Sequence, residues 1–308
     1  MRVFDNSDQM KAFMKKESRR LNISPTNTYH TFLVRSILER VSKLSNTEII
    51  VKGSAAETAY LGRLVRSITD LDIASESTFD DTVCLLSEIL TPGDQSSFKL
   101  SYRSPLEITK TGIHKLRLNA KFEQILQPFD IDFQENYGRL IEPTRTVMPP
   151  IFEGDQPFEI YTPSYEEYLA EKLCIIVESD KEDVANTRAK DFYDIYELHG
   201  SRYDSEKLTE YFRKMLALRG KKRIEDADTT MLDQAYIDKH QTYWDSAKKH
   251  YDFLDHEIKF PGAVYYTRAV IREQLQKNGQ EMPDSIKRNP VKSKIYRVKP
   301  LSSLQNKI

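Results

Sequence analysis

The stretch "VKGSAAETAYLGRLVRSITDLDIAS", residues 51–75, decides how this chain is to be read. A Gly53-Ser54 pair follows the short apolar run of "EIIVKG", and Asp70 and Asp72 then stand one residue apart in an otherwise apolar segment. Residues i and i+2 of a strand point the same way. Asp70 and Asp72 therefore share one face, with Leu71 and Ile73 on the other. Carboxylates held that close oppose each other's ionisation, and a purely structural strand gains nothing from them. A divalent metal removes the penalty, because its hard charge prefers carboxylate and phosphate oxygens. The same arithmetic pairs Asp130 with Asp132 in "FDIDF", residues 129–133, so up to four carboxylates converge if the two strands are neighbours. After a strand, a glycine–serine turn lets backbone N–H groups approach a triphosphate, and the hydroxyl can add a hydrogen bond. The order strand, Gly-Ser, helix, strand, Asp-Leu-Asp points to nucleotidyl transfer, with metal ions activating the incoming hydroxyl and stabilising the leaving pyrophosphate. The alternatives are a calcium site or structural surface acids, for which the flanking residues are too apolar.

Working outward, "TYHTFLVRSILERVSKL" (residues 28–44) repeats its apolar positions near helical spacing, and "ETAYLGRLV" continues the Gly-Ser turn as a helix or helical turn. "TFDDTVCLLSEIL" is expected to be helical and "TPGDQSS" a loop. "IHKLRLNAKF" (113–122) alternates, putting His114, Leu116, Leu118, Ala120 and Phe122 on a covered face and Lys115, Arg117, Asn119 and Lys121 on a face expected to meet solvent. Past the Pro-rich "MPPIFEGDQPFEIYTPS", helices are expected near 165–178, 187–199, 205–218, 231–257 and 263–277. The expected fold is α/β (α+β): a domain over 1–155 with a small mixed sheet, then a helical domain over 156–308.

The 308 residues are 30% charged and 39% hydrophobic, with a formal net charge of −1, so no global attraction to nucleic acid follows. Basic residues cluster around Gly220 (Arg213, Lys214, Arg219, Lys221, Lys222, Arg223) and again from Lys287 onward, where either cluster could meet phosphates. No apolar run approaches the roughly 20 residues of a membrane span. The first 20 residues lack the apolar core of a signal peptide, and a cytoplasmic location is expected. Cys84 and Cys174 have no metal-ligand spacing and read as core residues of a reducing compartment.

Two helices carry charge on their apolar sides. In "PSYEEYLAEKLCIIVES" (163–179), Ser164 and Glu167 form a capping-box pattern. Tyr165, Tyr168, Leu169, Leu173 and Ile176 make the inward arc, with Lys172 among them and Glu167, Glu171 and Glu178 opposite. An ammonium in apolar surroundings needs an anion: a nearby Asp is the plain structural answer, a nucleotide phosphate the functional one. In "NTRAKDFYDIYELHG" (186–200), Asp191 falls on the apolar side and Asp194 nearer the flank. A bridge from Asp191 to Lys172 or Arg188 is the structural alternative there. His199 is assigned no chemistry.

"KGSAAETAYLGRLVRSITDLDI" resembles the first motif of the AbiEii/AbiGii-type nucleotidyltransferase toxins, within the DNA-polymerase-β-like superfamily. "EEYLAEKLCIIVES" and "RAKDFYDIYEL" resemble that family's later lysine-helix and Arg/Lys-Asp-helix motifs, and the match in order covers residues 50–200. The resemblance implies an N-terminal nucleotidyltransferase fold. It implies that Gly53 and Ser54 bind triphosphate, that Arg66 is the basic residue ahead of the Asp pair, and that Asp70 and Asp72 hold magnesium. Lys172 would meet phosphates, Asp191 or Asp194 would complete catalysis, and Asp132 or Asp130 would be a third metal carboxylate. At the position two before the first Asp, where the family usually has a small hydroxyl residue, this chain has Ile68. The resemblance further implies the toxin of a type IV toxin–antitoxin, abortive-infection pair with a repressor antitoxin, acting in phage defence. Such a toxin would transfer a nucleotide from GTP or a pyrimidine triphosphate to RNA, at the tRNA 3′ end. Transfer onto a protein, or a non-catalytic GTP-binding regulator, are the competing readings.

Overall fold

The computed structural model describes residues 2–43, 49–75, 77–78, 80–81, 98–104, 107–109, 113–135, 143–178, 188–198, 203–218 and 234–276. The expected helix over 78–90 (beyond its first residues), Cys84, Arg219 and the basic residues after it, His199 and the tail from Lys287 lie outside them.

An eight-stranded mixed sheet carries the front half. Its strands are β1 (Ile50–Val51), β2 (Leu71–Ser75), β3 (Lys99–Tyr102), β4 (Glu107–Ile108), β5 (Ile113–Phe122), β6 (Ile125–Glu135), β7 (Thr144–Met148) and β8 (Phe158–Thr162). The order is β3-β5-β6-β2-β1-β8-β7, with β4 on β5. β2 runs parallel to β6 and antiparallel to β1. The sheet is larger than the small one expected, because β3, β4, β7 and β8 are short and no motif marks them as Gly53-Ser54 and the Asp pair mark β1 and β2. It also runs on to Thr162, past the boundary expected at 155: β8 pairs with β1, and Ile160 packs in the front core.

Helices α1 (Ser7–Leu21) and α2 (Pro25–Val41) bury Met10, Phe13, Phe32 and Leu38 against this sheet. α1 is a helix beyond those expected, and Asn6 caps it by accepting from Gln9 N–H at 3.0 Å. Helices α4 (Tyr165–Glu178), α5 (Ala189–Glu197), α6 (Ser205–Leu218), α7 (Gln234–His250) and α8 (Phe260–Gln276) form a second core around Leu173, Phe192, Phe212 and Trp244. Between the cores lies α3 (Gly53–Leu61), whose small residues allow close approach on both sides. Ala55 and Ala59 belong to the sheet core and Ala56 to the helical one. Cys174 is buried, its thiol 3.7 Å from the Phe212 carbonyl oxygen, as expected of a core residue. No described helix is long and apolar enough to cross a membrane.

Candidate functional site

The carboxylates meet because β2 and β6 are neighbours in register: Asp72 lies opposite Asp132, with Leu71 opposite Ile131 and Ile73 opposite Phe133. The apolar partners are buried in the sheet core. That leaves Asp72 and Asp132 together on the other face, where pleat alternation puts them. Burial first, and then the Asp70 charge, push the Asp72 carboxyl up to about 7, with Asp132 adding to the rise and Lys190 and Lys52 opposing it. Asp132 Oδ2 accepts from Lys115 Nζ at 2.8 Å, while its buried Oδ1 has no hydrogen-bond partner. Lys115, expected to face solvent, is thus turned onto the acidic patch. Asp130, the other candidate on β6, is half-exposed and bridged to Arg103 at 2.9 Å.

The turn preceding α3 is fitted against this patch. Gly53 has φ +59°, and a Cβ added there would sit 1.9 Å from Asp72 Oδ2. Only a residue without a side chain allows that approach. The turn is held by Lys52 N–H donating to the Asp72 carbonyl oxygen (2.8 Å) and by the Tyr168 hydroxyl donating to the Gly53 carbonyl oxygen (3.1 Å). Ser54 Oγ is buried with no hydrogen-bond partner.

Lys172 meets acids of α5. Its Nζ donates to Asp191 Oδ1 (2.6 Å) and Asp194 Oδ2 (2.7 Å), which hold the ammonium well above its ordinary pKa against the opposing effect of burial. This is the ion pair that sequence allowed as the structural alternative. The Arg188–Asp191 contact, at 3.5 Å, is present as well. Asp194 lies inside rather than on the flank and also takes both arms of Arg66, at 2.7 and 2.9 Å. Burial alone would raise its carboxyl, but Arg66 and Lys172 outweigh burial and hold it far below the carboxylate range. Glu57, fully buried beside the pair, is driven well up by burial and then by Asp194. Arg66 is consumed in this network and lines neither of the cavities described next.

A cavity of about 690 Å³ opens between the acidic face and α4, α5 and α6. Gly53, Asp72, Asp132, Lys172 and Asp191 line it, so the structure gathers these predicted residues around one space. Ser54, Asp70 and Asp194 do not line it, and Asp70 instead lines a second cavity of about 530 Å³ that also touches Asp132. Lys52, Arg188, Lys190 and Tyr168 line the first cavity too and were missed. Lys190 sat within the quoted Arg/Lys-Asp motif and Tyr168 on the inward arc of its helix, whereas Lys52 gave no sequence signal beyond its place next to Gly53. Glu167, expected on the outer side of α4, is buried at 1% exposure and lines the cavity. In its capping box Ser164 Oγ accepts from Glu167 N–H at 3.3 Å. Burial followed by Glu171 pushes its carboxyl up to about 8, against Lys52 and the Ser164 backbone N–H, which favour the charged form.

A family model described as nucleotidyl transferase AbiEii toxin, type IV TA system, matches residues 47–268. The chain belongs to the AbiEii toxin family. It is accordingly a nucleotidyltransferase, of a toxin–antitoxin type that implies an antitoxin partner and a nucleotide substrate. No curated protein matches it. Among solved structures, the nucleotidyltransferase toxin MenT4 of Mycobacterium tuberculosis superposes with a TM-score of 0.56, at 14% identity over 89% of this chain and 92% of that one. JHP933 from Helicobacter pylori gives a TM-score of 0.48 at 15% identity, over 82% and 94%. The MenT4 likeness shows a shared fold.

Nucleotidyltransferases generally use a divalent metal. The oxygen donors of this AbiEii chain fit a hard cation: an electrostatically opposed Asp72, an Asp132 oxygen with no partner, and Asp70 nearby. Among the described residues, however, no three His, Cys, Asp or Glu side chains stand close enough to hold an ion between them. Of the expected Asp70, Asp72 and Asp132, the first cavity presents Asp72 and Asp132, with Lys115 on Asp132 at 2.8 Å, while Asp70 lines the other cavity.

Proposed function

We propose that this chain transfers a nucleoside monophosphate from a nucleoside triphosphate, with magnesium, to a ribose hydroxyl of an RNA acceptor, the tRNA 3′ end. The observation that carries the reading is the approach of Gly53 to Asp72 in the wall of a cavity that also holds Lys52, Arg188 and Lys190. A glycine turn beside paired carboxylates, with cations opposite, suits a triphosphate and its counter-ion. Phosphates would lie along the turn, met by Gly53 N–H, the Ser54 hydroxyl, Lys52 and Lys190. Lys172 would reach them from the helical side, its ammonium positioned by Asp191 and Asp194. Of those two acids, Asp191 lines the cavity and can touch substrate, while Asp194 acts through Lys172 and Arg66 acts through Asp194. The nucleobase would occupy the apolar end of the cavity, where Tyr211, Met215 and Leu218 form one stripe of α6 near Ile175 and Ile113.

Asp72 and Asp132 would hold magnesium at the wall of the first cavity, with Asp70 on its far side, and that charge would support the departing pyrophosphate and the incoming oxygen. The acceptor oxygen forms a bond to the α-phosphorus as the bond from that phosphorus to the bridging oxygen breaks. Pyrophosphate leaves and the hydroxyl proton passes to the acidic wall.

Each labelled nucleoside triphosphate in turn, incubated with magnesium, the protein and total RNA, tests this. Labelled RNA is expected, lost with Asp70→Ala and with Lys172→Ala. Equal labelling by those variants means the site is assigned wrongly. Label that survives nuclease but not protease selects a protein acceptor, and GTP-dependent thermal stabilisation without turnover selects a regulator.

A further inference from the structure

The nucleotide reading leaves the second cavity, of about 530 Å³, without an occupant. It lies across the acidic wall from the first: Asp132 lines both, Asp72 only the first, Asp70 and Asp130 only the second. Its other wall comes from segments distant in sequence, with Asn27 and His30 on α2, Arg103 just past β3, and Lys249 and Tyr251 at the end of α7. That wall is preformed. Asn27 Nδ2 donates to the His250 carbonyl oxygen (2.8 Å) and to Asp252 Oδ2 (2.9 Å), and Ser24 N–H donates to the same Asp252 oxygen (2.8 Å). Arg103, Lys115 and Lys249 balance the three carboxylates of the lining, so a divalent cation on the acids would leave the cavity positive. Burial keeps His30 on the neutral side of its ordinary range, giving a polar contact without added charge.

We infer that this second cavity seats the acceptor, the 3′-terminal nucleotide of an RNA strand, with its ribose hydroxyl at Asp70 and Asp132 and its last phosphodiester at Arg103 and Lys249. The inference rests on the proposed nucleotidyl transfer and adds where the acceptor binds. In-line displacement needs the attacking oxygen to enter opposite the departing pyrophosphate. Two cavities that meet at one carboxylate allow that, the triphosphate approaching from one side and the hydroxyl from the other. An RNA end also brings an anion for Arg103 and Lys249, which a serine or tyrosine side chain does not.

The test is fluorescence polarisation of a 5′-labelled single-stranded RNA with a free 3′ hydroxyl, in magnesium, on the parent and on the double variant Arg103→Gln/Lys249→Gln. Both positions are exposed, and melting curves check that the fold is kept. RNA affinity is expected to fall about ten-fold or more, with a shallower salt dependence. Binding of a non-hydrolysable triphosphate, read by thermal shift, is expected to stay at the parent value. RNA affinity within two-fold of the parent overturns the inference, as does a double variant that loses triphosphate but keeps RNA. RNA that binds through these residues but is never extended refutes the transfer reading and leaves the cavity an RNA site. Transfer to protein at equal rates in parent and double variant refutes both.

Discussion

Replacing Gly53 by alanine separates two costs that the structure places at one residue. The first is backbone: Gly53 has φ +59°, a region that costs an L-residue about 1–2 kcal/mol. The second is contact: the new Cβ would stand 1.9 Å from Asp72 Oδ2 and 2.8 Å from its Cγ. Ordinary contact is well over 3 Å, so either the turn or the carboxylate must move by more than an ångström. Strain of roughly 1–3 kcal/mol is expected from such a forced shift. Together these predict a loss of about 2–5 kcal/mol, a fall of several degrees in Tm. They also predict transfer activity reduced on the order of 100-fold, because misplacement by an ångström is costly at a reacting centre. A double-mutant cycle isolates the contact. In an Asp72→Ala background the Oδ2 and Cγ clashes vanish, leaving the backbone cost and a tight 3.1 Å contact to the Cβ of residue 72, so Gly53→Ala should cost about 1–2 kcal/mol there. Chemical denaturation of the four proteins measures this. Equal Gly53→Ala losses in both backgrounds would refute the claim that the glycine exists to let Asp72 approach the turn.

Removing the Arg66 fork should strand a buried carboxylate: Arg66→Leu is expected to cost about 3–5 kcal/mol in urea unfolding. Arg66→Lys should restore only part of it, since an ammonium cannot take both Asp194 oxygens. Glu167 titrates near 8 in the fold against an ordinary value of 4.5, so between those pH values the folded state holds the extra proton and stability falls as pH rises. Glu167→Gln should therefore be more stable than the parent at pH 9, by a few kcal/mol at most, and about equal to it at pH 5. A pH-independent difference in Tm would contradict the assignment. Tyr211→Ala should raise KM for the triphosphate roughly ten-fold while leaving kcat near the parent value, as loss of base stacking does. Unchanged KM would move the nucleobase elsewhere.

Much of the site could be read in advance because its logic is local. The i, i+2 spacing put Asp72 on one face whatever the partner strand, and the covered face of β5 followed from alternation. The ranges of α4 to α8 agree with the expected helices to within a turn at nearly every end, α7 ending earlier, because their apolar periods are long and strong. What could not be read lies where sheet contacts replace local pattern. β3, β4, β7 and β8 are short, and no motif marks them as the glycine turn and the Asp pair mark the equally short β1 and β2. Glu167 and Asp194 defied their helical-wheel positions because a neighbouring element, not solvent, faces them.

Residue order by itself determined the chemistry on offer: paired carboxylates, a glycine turn, an inward lysine and the family to which these belong. Side-chain period and turn chemistry are properties of a few adjacent residues, and they survive without knowledge of the partners. Only the tertiary structure decided which charges neutralise which. It gave Lys172 to Asp191 and Asp194, Arg66 to Asp194 and Lys115 to Asp132, and it set Asp70 and Asp72 toward different cavities. Coulombic pairing depends on distance and burial between segments as far as 128 residues apart, and those are fixed only when the sheet and the helical core pack against each other.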